Sequence, residues 1–218
     1  LIATDTGTRK KSEPIPPGMK PATCYAAIDR GTHHDEKFDK DKREITLIFE
    51  VPSVRIDLER DGQTVSLPRA ISKTYTLSLH EKAKLRKDLQ SWRGRSFTAE
   101  ELKGFEVKNI LGKPCLLNLV SSECGKYTNI EGVSPLMEGM EPPAQENPST
   151  YFSFDECADG VEPEWPEGMP DWLVDIAKES DEYRSIIASV DATSSEYATT
   201  GAAPEATTTV DESVEAPF

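Results

Sequence analysis

Apolar and polar residues alternate most clearly over 44–51, where Ile45, Leu47, Phe49 and Val51 fall on one side, the period-two signature of a strand with one buried face. Residues 67–77 repeat the pattern, with Leu67, Arg69, Ile71, Lys73, Tyr75 and Leu77 on one side. Pro68 has no amide hydrogen to offer a neighbour, which suits an edge strand or the opening of one. Shorter runs at 22–30, 114–120 and 126–133 predict three more strands, and the 114–120 run is apolar on both faces. Between the third and fourth strands the period changes. Leu79, Ala83, Leu85, Leu89 and Trp92 recur at helical spacing, Ser78 to Glu81 reads as a capping box that starts a helix at Leu79, and Gly94 is placed to end it. Thr98 to Glu101 reads as a second box over a single helical turn closed by Gly104.

Three strands, a helix and two strands is the order of the OB-fold, a five-stranded Greek-key barrel that often binds single-stranded nucleic acid. The expected class is therefore all-β, with an OB-fold-like barrel over residues 21–140. Residues 1–20, which hold Arg9, Lys10, Lys11 and the stretch Pro14-Ile15-Pro16-Pro17, are expected to form a flexible arm. Pro142, Pro143 and Pro148 mark a linker into an acidic, aromatic extension over 141–187. There Pro170 can open a short amphipathic helix, with Trp172, Ile176, Tyr183 and Ile187 roughly on one stripe, that is expected to dock on the body or on a partner. Residues 188–218 are too poor in large apolar groups to offset the entropy of ordering, so a disordered acidic tail is expected.

The formal net charge of −14 would argue against nucleic acid if it were spread evenly, but it is not. Residues 1–140 carry 23 Lys and Arg against 20 Asp and Glu, whereas residues 141–218 carry 2 against 19. A near-neutral body thus bears a strongly anionic end, and 69–113 is the basic part of that body. Cys24, Cys115, Cys124 and Cys157 form no C-x-x-C pair and have no histidine at ligand spacing, so no metal or other cofactor is expected. His33 and His34 read as part of a solvated hairpin loop. With no signal peptide and no apolar run near ~18 residues, neither secretion nor a membrane span is expected, and a cytoplasmic location is. No nucleophile elbow, phosphate loop or zincin helix is present, so the chain does not read as an enzyme.

Gripping a single strand without reading its sequence takes cations for phosphates and flat rings for bases. The candidates are Lys42, Arg43, Arg55, Arg69, Lys73, Arg93, Arg95 and Lys126, with Tyr75, Trp92 and Tyr127 as stacking rings. Trp92 could equally seal the helix onto the barrel, and the basic face could be an ordinary solvated surface. The chain ends Asp211-Glu212-Ser213-Val214-Glu215-Ala216-Pro217-Phe218. In such a tip a terminal aromatic can fill an apolar pocket on a partner while the carboxylates meet a basic rim, so Asp211, Glu212, Glu215, Pro217 and Phe218 are the partner-binding candidates.

The runs PRAISKTYTLSLHEK and SWRGR, followed by GFEVKNILGKPCLLNLV and GKYTNIEGVSPL, resemble a family of phage-encoded single-stranded DNA-binding proteins over roughly residues 14–140. WPEGMPDWLVDIAKESDEY is similar to the segment that follows in that family. The tip is similar to that of bacterial single-stranded DNA-binding proteins in its final Pro-Phe, though Ser213, Val214 and Ala216 interrupt the acids. The resemblance implies a non-enzymatic protein of bacteriophage DNA replication or recombination. It would coat single-stranded DNA in the host cytoplasm and recruit replication or recombination proteins through its tip, with self-association left open. A protein-docking adaptor with an acidic decoy tail is the alternative.

Overall fold

Two long strands dominate the chain, and both run further than the sequence pattern suggests. The computed structural model describes residues 13–60, 63–158 and 160–199. Strand β1 spans Gly18–Asp35, β2 Lys40–Arg60 and β3 Gln63–Thr76; helix α1 spans Lys84–Arg93; β4 spans Pro114–Ser121, β5 Thr128–Ser134 and β6 Thr150–Phe152; α2 spans Asp171–Lys178 and α3 Asp181–Thr199. Strands β3-β2-β1-β4-β5 form an open antiparallel sheet in that order, and β6 adds in parallel to β1. The described protein is thus mostly β with three helices. No helix among the described residues is long and apolar enough to cross a membrane.

The inner face of the sheet carries Ile45, Leu47, Phe49 and Val51, as the alternation requires. Cys24, Leu117, Leu119 and Val133 pack with them in the main core. Helix α1 covers this face with Leu85, Leu89 and Trp92. The register between β2 and β3 shifts between Val51 and Arg55, beside Pro52 and Pro68, neither of which can donate to the ladder. Past that bulge the hairpin resumes pairing out to its tip.

Helix α1 begins at Lys84, not at Leu79. The Ser78 hydroxyl accepts the His80 amide at 3.1 Å, which makes a local turn and leaves Ala83 as an N-cap with no side-chain cap. The helix ends as expected, on Gly94 in the left-handed region at φ 65°. The second capping box forms: Thr98 Oγ1 accepts the Glu101 amide at 3.2 Å and Glu101 Oε2 accepts the Thr98 amide at 2.9 Å.

Three expectations about the flanks change. Of the arm over 1–20, residues 13–20 are placed: Ile15 enters the main core at 3% exposure, and Gly18 already belongs to β1. Residues 1–12 lie outside the described residues. The extension builds a second core on the other face of β1 and β2, where Phe152, Phe154, Met169, Leu173 and Ala177 cover Ala26, Ile28 and Ile48. Trp172 stays 47% exposed, because the stripe drawn from Trp172 to Ile187 supposes one helix where there are two. Ser180, two residues past the end of α2, accepts the Tyr183 amide on its hydroxyl at 3.2 Å, capping α3. Finally, 188–199 is helical, continuing α3 from a first turn whose capping and docking supply the costly nucleus of a helix. Residues 200–218, and with them most of the expected disordered tail, lie outside the described residues.

The extension meets the sheet at Gly31, whose φ is +76° and where a Cβ would stand 2.4 Å from Ser180 Cβ. Only glycine permits both the backbone conformation and that approach.

Candidate nucleic-acid interface

Arg69, Ile71, Lys73 and Tyr75 share the inner face of β3, as the alternation predicts, but α1 covers one end of that face and not the other. At the covered end Tyr75 is 2% exposed and donates its hydroxyl to Asp88 Oδ2 at 2.9 Å. Burial, reinforced by the Asp88 charge, pushes its phenol far up. Lys73 Nζ lies 2.6 Å from the same Asp88 carboxylate and 3.2 Å from the Glu131 carbonyl. A buried tyrosine cannot stack a base without leaving the core, so the stacking role expected for Tyr75 does not fit its place. Trp92 is corrected likewise: at 8% exposure it donates its indole N–H to the Pro114 carbonyl at 2.8 Å and packs on Phe49.

Most of the candidate cations are held by carboxylates of the fold. Arg43 meets Asp29 at 2.5 Å, Asp155 at 2.9 Å and Glu182 at 3.9 Å. Hydrogen bonding to Asp29 raises its pKa well above the usual arginine value, so it ties the extension to the sheet and is not free for phosphate. Arg93 and Arg95 both pair with Glu101, and the Arg93 guanidinium lies 4.5 Å from the Phe97 ring centroid. Hydrogen bonds from Arg95, the Thr98 amide and Arg93 lower the Glu101 carboxyl to about 2. Arg55 pairs with Glu146, and Lys42 pairs with Asp35 while lying over the Phe38 ring. These five, with Lys73, contribute little open positive charge.

The other end of the β3 face is open. Arg69 and Ile71, the β4–β5 loop residues Lys126 and Tyr127, and Thr128 at the start of β5 line a groove of about 670 Å³. Its remaining wall is the N-terminal segment Glu13–Ile15. Tyr127 is 61% exposed there, and neither Arg69 nor Lys126 forms an ion pair among the described residues. Arg69 Nη1 donates instead to the Glu13 carbonyl at 2.9 Å, and Thr128 Oγ1 donates to the Ile15 carbonyl at 2.5 Å. Of the eleven residues expected to bind DNA, the structure therefore gathers Arg69, Lys126 and Tyr127 in one concavity beside apolar surface. Sequence reasoning missed Ile71, Thr128 and the arm as its walls; the apolar Ile15 set between prolines was the available signal.

The same loop holds Cys124, exposed, its Sγ 3.3 Å from Ser122 Oγ, and this hydrogen bond lowers the thiol pKa. Burial raises Cys24 and Cys115 far above the usual thiol range. A second cleft, about 570 Å³ between the sheet and the extension, is lined by Asp29, Glu106, Asp155 and Glu156 against Lys108 and so has the opposite charge. Among the described residues no group of three or more His, Cys, Asp or Glu is placed to hold a metal ion. The tip candidates Asp211, Glu212, Glu215, Pro217 and Phe218 lie outside the described residues. Compared with known proteins, the chain matches no family model, no curated protein and no solved structure.

Proposed function

We propose that the chain is a single-stranded DNA-binding protein of phage replication or recombination, not an enzyme, working in the host cytoplasm and recruiting partner proteins through Phe218 and the acids before it. The observation that carries the reading is the groove, where an exposed ring, two cations without an ion pair among the described residues and apolar surface converge. A base can stack on Tyr127 while Arg69 and Lys126 take phosphates. The OB-fold reading is supported by the sheet order β3-β2-β1-β4-β5, with α1 following β3, and by the bond from Lys73 to the Glu131 carbonyl. That bond spans the gap between the β3 and β5 edges where a barrel would close, and in that fold the loop between strands four and five borders the nucleic-acid face.

The test is a fluorescence titration with oligo(dT) at two salt concentrations. Binding at low salt that weakens steeply as salt rises supports the reading; no binding, or binding indifferent to salt, overturns it. Removing residues 211–218 is expected to keep or tighten strand binding while abolishing recruitment, since an acidic segment competes with DNA for cations. The many neutralised cations favour a second reading, a protein-docking adaptor. It predicts that no oligonucleotide binds while partners are captured from nuclease-treated lysate.

A further inference from the structure

We infer that the outer half of the β2–β3 ribbon is a dimerisation edge, at which Val54–Leu58 of β2 pairs antiparallel with the same segment of a second copy. Strand β1 runs beside β2 only as far as the Thr23–Glu50 pair, and from there towards its N-terminus it pairs with β4 instead. Past Glu50, β2 is held by β3 alone, out to Arg60. Along that stretch one edge of β2 has no strand beside it among the described residues. The far edge of the ribbon, on β3, is blunted. Pro68 has no amide to offer a neighbour, and Arg55 Nη2 donates to the Ser66 carbonyl at 2.6 Å.

The ribbon also carries apolar surface outside both cores. Ile56 faces Leu67 and Leu58 faces Val65 across the two strands. None of the four joins either core cluster, and Leu58 and Val65 are 38% and 37% exposed. A two-stranded ribbon is marginal in water by itself and gains from further strands. The open edge reads Val54-Arg55-Ile56-Asp57-Leu58, a sequence that complements itself when reversed. Centred on Ile56, antiparallel pairing sets Arg55 of each copy opposite Asp57 of the other and Val54 opposite Leu58, while Ile56 faces its own equivalent. Asp57 forms no ion pair among the described residues, and the Arg55–Glu146 pair is exposed enough for the guanidinium to be shared. Two opposite-charge pairs and one apolar row thus fall in register together, which is why the occupant is a second copy and not an unrelated strand. Such a two-fold contact closes on itself, and its small size makes the dimer reversible.

The test is sedimentation equilibrium of the full chain over a concentration series without DNA, with thermal melts as a folding control. A reversible monomer–dimer equilibrium is expected. Ile56→Asp, which sets two carboxylates face to face at the two-fold centre, should leave a monomer. Arg55→Asp or Asp57→Arg alone puts like charges opposite one another twice and is expected to raise the dimer dissociation constant roughly tenfold or more. The double exchange, Arg55→Asp with Asp57→Arg, should restore the dimer. Loss of the Arg55–Glu146 pair does not mimic this pattern, because the double exchange does not bring that pair back. A chain that is monomeric at every concentration overturns the proposal. So does a dimer indifferent to Ile56→Asp and to the single exchanges, or one that the double exchange fails to restore. Strand binding is read in a separate titration, so failure of the dimer leaves the groove reading where it stands.

Discussion

The two ends of the inner face of β3 were dealt the same kinds of residue and met different fates. At one end Lys73 and Tyr75 converge on Asp88 beneath α1 and serve the fold. At the other, Arg69 lies in an open groove with Lys126 and Tyr127, lined by no helix among the described residues. Alternation along a strand tells which side a residue faces. It does not tell what covers that side, and cover decides whether a cation is a strut or a binding group.

The sharpest way to break this comparison is to remove a strut. Arg43→Ala leaves the buried Asp29 without its charge partner and is expected to cost about 3–5 kcal/mol of stability, read by denaturant unfolding, while strand binding by the folded protein is unchanged. At the open end the pattern should invert. Tyr127→Ala is expected to lose about 1–3 kcal/mol of oligo(dT) affinity with its melting transition in place. Tyr75→Phe removes only a hydroxyl bonded to a carboxylate, so a stability loss of about 1–2 kcal/mol is expected, with no change in titration with DNA. A strand-binding defect in Tyr75→Phe equal to that of Tyr127→Ala would erase the distinction between the two ends.

The smallest effect concerns Glu101, the anchor of Arg93 and Arg95. Its carboxyl lies at about 2 in the folded protein against an ordinary 4.5. Because the folded value is the lower one, the stabilisation is complete above about pH 5 and fades as acid takes the pH from there through 2. The stability difference between the native chain and Glu101→Gln should thus be flat near neutrality and shrink across that window. A difference independent of pH would mean that the pair with the arginines does not hold the turn.

Much of the sheet was legible because its signals are local. The 44–51 alternation, the helical recurrence of Leu85, Leu89 and Trp92, the Gly94 stop and the Thr98–Glu101 box each depend on neighbours within a turn or two. The Ser78 box misled for a local reason too, since the same hydroxyl can cap a helix or close a turn and here it closes a turn on His80. What sequence could not show is partnership at a distance. Arg43 meets Asp155 across 112 positions, and Lys73 meets Asp88 across 15. The extension reads as an acidic, aromatic segment whose short helix docks on the body or on a partner, without saying which. Its acids conceal Phe152, Phe154, Met169 and Leu173, whose role appears only once the outer face of β1 and β2 is seen to need covering. The candidate site was legible at Arg69, Lys126 and Tyr127, and not in the arm that walls it.

The four thiols are unequal in a useful way. Two are sunk in the core, Cys157 is half-covered with a raised pKa, and Cys124 stands exposed three residues before Tyr127. Mild alkylation near neutral pH should therefore tag that single position, giving the native chain a built-in attachment point for an environment-sensitive dye at the lip of the groove. Occupancy could then be followed optically without engineering a residue.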